Sequence, residues 1–332
     1  MMTFTTSRTT LFSRKTLLRS VLAASLAASS VSALALESVH FLVPGGAGGG
    51  WDTTARGTGD ALKKSGLVDE VSFENLSGGG GGKAIAHLIE TAAQKQDTLM
   101  VNSTPIVIRS LTGIFPQSFR DLTPVAATIG DFGAFVVRKD SPYQSFSDIA
   151  ADFNKNPRSV KVSGGSARGS MDHLVAAMAF KAAGGEARGL RYVAYDAGGK
   201  AMAGLLSGES DVLSTGFSEA LALAEAGEVR ILAMTGSERN DAAPEVPTLK
   251  ELGIDAEFVN WRGFFGAPGL SDEQVAEFTD TLEKMYDTDE WETIRARNGW
   301  TELFKPDAEF VSFLENQEKV IGDLMRELGF LR

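Results

Sequence analysis

The sequence predicts an α/β protein made of two units that face each other across a cleft. Three observations predict it. Short apolar runs with strand character alternate with amphipathic helical runs, the pattern of a largely parallel sheet. The chain has 332 residues, about two domains' worth at roughly 150 residues per domain. Three glycine-rich turns each stand between a strand-like and a helix-like run: Pro44 to Asp52, Ser77 to Lys83, and Ser163 to Ser170.

Ser38 to Val43 is a short apolar strand ended by Pro44. A helix is expected from Thr53 to Lys64, with Thr54, Thr58, Ala61 and Leu62 at helical spacing and Asp52 placed to cap it. A strand over Glu70 to Asn75 leads into the second turn. The next helix shows Ile85, Leu88, Ile89 and Ala92 on one face, and Thr98 to Asn102 is again a strand. A second α/β unit starts at the strand Phe132 to Val137. It continues through strand Val160 to Val162, the third turn and a helix from Ser170 to Ala183. Strand Leu190 to Ala194, helix Lys200 to Leu206, strand Asp211 to Ser214, helix Glu219 to Ala226 and strand Val229 to Met234 follow. Pro244 to Pro247 breaks the chain into a loop. Strand-like runs at Ala256 to Trp261 and Gly263 to Ala267 precede two amphipathic helices, carrying Val275, Phe278, Leu282 and Met285, then Val311, Leu314, Ile321 and Leu324. Those stripes are core contacts.

The first 35 residues have the form of a secretory signal peptide. Arg8, Arg14, Lys15 and Arg19 form a basic leader, Leu17 to Ala28 is apolar, and Ser32-Ala33-Leu34-Ala35 offers cleavage after Ala33 or Ala35. The apolar run is shorter than the roughly 20 residues a spanning helix needs. The whole chain carries −11, and loss of a leader with four basic and no acidic groups leaves −15. Such an acidic surface argues against nucleic acid as a partner. The absence of cysteine removes disulfides and the residue a bacterial lipid anchor requires. A freely diffusing, monomeric periplasmic protein is expected.

The glycine turns point to anion binding. A helix that starts after such a turn offers unpaired N–H groups and the positive end of its dipole. In an acidic molecule, an anion site must rest on such local donors. The sequence matches no cofactor or metal motif. Gly82-Lys83-Ala84 departs from a P-loop, no G-x-G-x-x-G occurs in the turns, and the three histidines lack ligand spacing. Gly164-Gly165-Ser166-Ala167-Arg168 resembles a nucleophile elbow but has Arg168 where the last glycine belongs. An exported hydrolase using Ser166 and His173 is therefore the competing class, lacking a recognisable orienting acid. His173 is either a packing residue or a ligand contact. Arg168 and Arg262 are either surface arginines or carboxylate partners. Trp51 and Trp261 are either cleft walls or core.

At these residues the chain resembles the periplasmic substrate-binding subunit of tripartite tricarboxylate transporters, the TctC-like or Bug family. The resemblance runs through Val43 to Arg56, Asn75 to Gly82, Ser163 to His173, Tyr192 to Asp211, Gly227 to Arg239, Val246 to Gly253 and Asn260 to Pro268. It implies a two-lobed, type II periplasmic-binding-protein clamshell that closes about a hinge. It places residues 36–131 with 236–332 in one lobe and 132–235 in the other. It implies a non-enzymatic receptor that captures a di- or tricarboxylate, citrate-like molecules favoured, and delivers it to two integral-membrane subunits. A ligand-sensing partner of a membrane kinase would need the same clamshell. Carried onto this chain, the binding loops are Ala47, Gly48, Gly49, Gly50, Trp51 and Asp52 facing Ser163, Gly164, Ser166, Arg168, Gly169, Ser170 and His173. Ser77, Gly78, Gly79, Gly80, Tyr195, Thr215, Gly216 and Arg262 complete the cleft. Two departures from the family pattern are the unbroken second glycine run and Lys200, which stands where relatives often carry a carboxylate.

Overall fold

The structure, a computed structural model, describes residues 1–3 and 36–331. The leader and its cleavage site lie outside the described residues. Among the described residues no helix is long and apolar enough to cross a membrane.

Ten strands form one curled sheet. They are β1 (Leu36–Val43), β2 (Val68–Asn75), β3 (Thr98–Ser103), β4 (Thr123–Arg138), β5 (Lys161–Gly164), β6 (Arg191–Ala194), β7 (Val212–Gly216), β8 (Val229–Met234), β9 (Val259–Gly266) and β10 (Thr301–Pro306). Their order is β2-β1-β3-β9-β4-β7-β5-β6, with β10 and β8 also paired to β4. The strands β2, β1 and β3 are mutually parallel, as are β6, β5 and β7. Each parallel set meets antiparallel neighbours at β4 or β9. The sheet thus has two halves joined by one long strand. Residues Thr123 to Phe132 of β4 pair with β9, and Gly133 to Arg138 pair with β7 and β8.

The helices that matter for the cleft follow the parallel strands: α1 (Gly50–Lys64) after β1, α2 (Gly82–Glu90) after β2, and α3 (Thr104–Thr112) after β3. In the other half α4 (Phe146–Lys155) precedes β5, and α5 (Met171–Ala182), α6 (Gly198–Leu206) and α7 (Phe217–Glu225) follow β5, β6 and β7. The closing helices α8 (Asp272–Tyr286), α9 (Asp289–Arg297) and α10 (Asp307–Glu327) pack back on the first half. Phe278, Leu282 and Met285 are buried with Phe41, Val101 and Phe264, and Leu314 and Ile321 with Phe265 and Phe310. Both stripes face the core, as expected, with Val275 and Val311 only half-buried at their edges. Trp261 is core too, edge-on to Phe310 and Phe313.

The alternating α/β pattern holds, although α3 and α4 were not expected from the sequence, and three expected elements differ. Helix α1 begins at Gly50 rather than Thr53, because Gly49 takes the extended N-cap conformation, a role glycine fills well. Asp52 is therefore not the cap. It stands in the first turn and reaches back to accept the Gly48 N–H at 2.9 Å. The strand expected at Phe132 starts nine residues earlier; Pro124, the alanines at 126 and 127, and Gly130 dilute the β-branched signal there. The two strand-like runs around Arg262 are one strand, β9, since the buried arginine only interrupts the apolar pattern.

Candidate functional site

A cavity of about 360 Å³ lies between the two halves of the sheet, at the carboxyl ends of β1 and β3 on one side and β5, β6 and β7 on the other. This is where open α/β sheets bind ligands. Most of the wall is loops leading from strands into helices, so backbone N–H groups and first helical residues face the space, with Asn260 and Arg262 of β9 and Arg109 of α3 completing it.

Of the residues the sequence singles out, the cavity brings together Gly49, Gly50, Trp51, Gly78, Gly80, Ser166, Ser170, Tyr195, Gly216 and Arg262. The remaining ones stand off its wall. Ala47 and Gly48 are exposed at the loop tip, and Asp52 is buried behind it. Burial pushes the Asp52 carboxyl up, but donors from Arg56, Gly48 and Asn75 together hold it below the usual range. Ser77 and Gly79 flank the wall of the second loop. Ser163 is buried and bonded to Ser210 at 2.7 Å, and Gly164 packs behind the loop on Asp172 and Tyr192. Arg168 is exposed and donates to the Tyr192 carbonyl at 2.6 Å. Gly169 donates its N–H to His173 Nδ1 at 2.9 Å. Thr215 gives its hydroxyl to Glu219. Lys200 is exposed and pairs with Asp196 at 3.6 Å.

His173 has become a packing residue. Its ring stacks on Tyr192 at 4.5 Å and meets Phe330 edge-on at 4.8 Å. Burial, with Arg168 nearby, lowers its pKa to about 4, so the ring is neutral at pH 7. Ser166 Oγ accepts from the Asp172 amide at 3.0 Å and lies 3.5 Å from the Tyr192 hydroxyl. Among the described residues it has no hydrogen bond to His173, the contact an activated serine requires.

Polar lining residues that escaped the sequence reading include Ser103, Arg109, Asp172, Asp196, Glu219 and Asn260. Two of these carboxylates occupy the positions expected for an anionic guest. Glu219 Oε1 accepts the Gly50 N–H at 2.5 Å, across the cleft at the tip of α1. Its other oxygen accepts from Gly216 N at 3.2 Å and from the Thr215 hydroxyl. One side chain therefore serves the starts of two helices. Asp172 sits in the first turn of α5, against the amides of Gly165 and Ser166. Burial, then the charge of Glu219, raise its pKa to about 7 despite those donors.

The two cavity arginines differ. Arg262 is buried on β9 with Nη2 2.6 Å from Asp131 and Nη1 2.9 Å from Thr54 Oγ1. Burial drives the Asp131 carboxyl upward, against the pull of Arg262 and the Ser218 donors. Arg109 lies on α3 one helical turn beyond Pro105, so both face the cavity. It gives Nη1 to the Gly79 carbonyl. Trp51 closes the wall between them, its indole N–H donating to Ser103 Oγ at 2.9 Å.

The comparisons agree with this fold. MatC from Rhodopseudomonas palustris, determined with bound malate, superposes with a TM-score of 0.75 at 22% identity, covering 87% of this chain and 98% of that one. A second R. palustris protein, determined with adipate, gives a TM-score of 0.80 at 22% identity, covering 88% and 97%. Both show the same two-lobed fold. A UPF0065 protein of Agrobacterium vitis is 27% identical over 254 residues, 74% of this chain and 71% of that protein. Residues 54–330 match the family described as the tripartite tricarboxylate transporter family receptor, and the chain belongs to that family.

Proposed function

We propose that this protein is a periplasmic receptor that traps a dicarboxylate, or a tricarboxylate of citrate's size, and presents it to two integral-membrane transporter subunits. In this reading the leader is removed after Ala33 or Ala35, and the mature chain diffuses as a monomer. Residues 36–131 with 236–332 form one lobe, 132–235 the other, and the lobes close about β4. The observation that carries the proposal is the cavity itself. It sits between the strand ends of both halves, walled by glycine loops and two arginines, in a chain of the receptor family.

The charges narrow the guest. Arg262 is already neutralised by Asp131, and Asp172 and Glu219 add negative charge to the wall. The cleft thus tolerates few anionic groups on its guest, which favours two carboxylates over three. One carboxylate goes to the glycine-loop face, where it competes with Glu219 for the Gly50 amide. Closure removes water and strengthens each contact. The relatives determined with malate and adipate are consistent with guests of this length.

Titration calorimetry with malate, succinate, adipate, citrate, glutamate and aspartate tests the proposal. Saturable, one-to-one heat with at least one dicarboxylate is the expected result. Silence from every carboxylate, or binding of amino acids alone, would overturn it.

A further inference from the structure

Arg109 is the uncompensated charge of this cleft. It is only 7% exposed, yet no carboxylate among the described residues lies within 4 Å of it. The other buried arginine of the cavity has its partner at 2.6 Å. Glu318 of α10, which reaches the neighbouring Ser110 at 3.1 Å, pairs with Arg120 at 3.0 Å instead. Of the five N–H donors of a guanidinium, one is used, on the Gly79 carbonyl. The planar group lies over the Phe115 ring at 5.2 Å, which fixes its orientation. The second glycine run is shaped around it. Gly80 has φ +57, and a Cβ there would collide with the Arg109 fork. Burial with no opposing charge pulls the Arg109 pKa down to about 10, so it stays cationic at neutral pH.

A buried charge without a partner is costly, because the group has lost its water and gained no counter-charge. Such a side chain at the wall of a cavity is a receptor for an anion. We propose that Arg109 is a second anion subsite, which takes the carboxylate of the guest that lies farther from the α1 tip and so selects dianions over monoanions. This inference rests on the carboxylate-receptor reading above. The Arg109 wall is the face of the cavity on which α3 and the second glycine loop supply a cation and no acid, whereas Asp172, Glu219 and Asp131 all belong to the opposite side or to the β4–β9 seam. The guanidinium fork suits a planar carboxylate through two parallel hydrogen bonds.

The test compares adipate with hexanoate, equal in carbon number and different by one carboxylate, on the mature full-length chain and its R109M and R109Q variants. The wild type should prefer adipate by at least about tenfold, the value of one charge-assisted contact. Both variants should lose adipate affinity by about 10–100-fold and lose much less for hexanoate, so that the adipate-to-hexanoate ratio collapses toward one. Without ligand, R109M should melt at or above the wild-type temperature, since it removes an unpaired buried charge; a residue of purely structural value would lower it. R109Q can still donate to the Gly79 carbonyl and decides the matter if R109M folds poorly. An adipate-to-hexanoate ratio that survives in the variants overturns this subsite while leaving the receptor reading intact. A wild type that binds no carboxylate at all overturns both.

Discussion

Asp172 shows how a single residue sets the behaviour of the cleft. Its carboxyl is buried, faces Glu219, and has a pKa near 7 in the folded chain against 3.8 in the open one. Between those values the native state holds a proton that the unfolded state has released. Stability from this group is therefore full below about pH 4 and declines as pH rises toward 7, after which it is level. Asp172→Asn should flatten that slope. The variant should gain on the wild type from pH 4 to 7, by on the order of a few kcal/mol at the top of the range. Urea denaturation at several pH values measures the difference. A wild-type minus variant difference that does not change with pH would show that Asp172 titrates normally. The acids held low by their donors, Glu318 by Arg120 and Glu251 by the Thr248 amide, give slopes of the opposite sign below pH 4 and cancel in that difference.

At the scale of elements, the loops matter more than the helices they start. Gly165 lies against the backbone of Ala197 and Gly198, and a methyl group there would overlap the Gly198 amide. Main chain cannot swing aside as a side chain can, so Gly165→Ala must push the β5–α5 and β6–α6 loops apart. Both loops line the cavity. Dicarboxylate affinity should fall at least about tenfold while stability drops by roughly 1–3 kcal/mol, the usual cost of overpacking; calorimetry and thermal melting read the two. An unchanged affinity would mean the loops shift freely. This is also where the sequence was most and least legible. Glycine runs after apolar strands marked the walls of the cleft, since strand, turn and helix periodicities are local. The helix α3 was missed although Ser103, Thr104 and Pro105 are good start residues. Its arginine directly after the apolar run Ile106-Val107-Ile108 was the available sign of a buried cation. Asp172 and Glu219 carried no such sign. Each reads as an ordinary first-turn acid, and only the fold reveals that Glu219, 169 residues from Gly50, caps it. The sequence marked glycine loops that wall the cavity and missed that the protein's own carboxylates, Asp172 and Glu219, stand at two of them.

For the molecule as a whole, that contact has a mechanical meaning. Gly50 belongs to the half of the sheet containing β1, and Glu219 to α7 in the half containing β7, the two joined through β4 and its neighbours. The 2.5 Å hydrogen bond therefore bridges the cleft. A carboxylate held by an amide at a helix start contributes about 1.5–3 kcal/mol. We propose that it acts as a clasp, standing in for the guest's carboxylate and keeping the unliganded halves together. Replacing Glu219 by Gln keeps the shape and an acceptor oxygen but removes the charge. Loss of about 1–2 kcal/mol would move the balance of open and closed forms about 5–30-fold toward open. Small-angle scattering should then give unliganded E219Q a larger radius of gyration than the wild type, and a saturating dicarboxylate should restore the compact value, because the guest supplies the missing negative charge at the α1 tip. Equal radii for the two unliganded proteins would show that closure does not depend on this side chain, and that the halves are held by β4 and its packing alone.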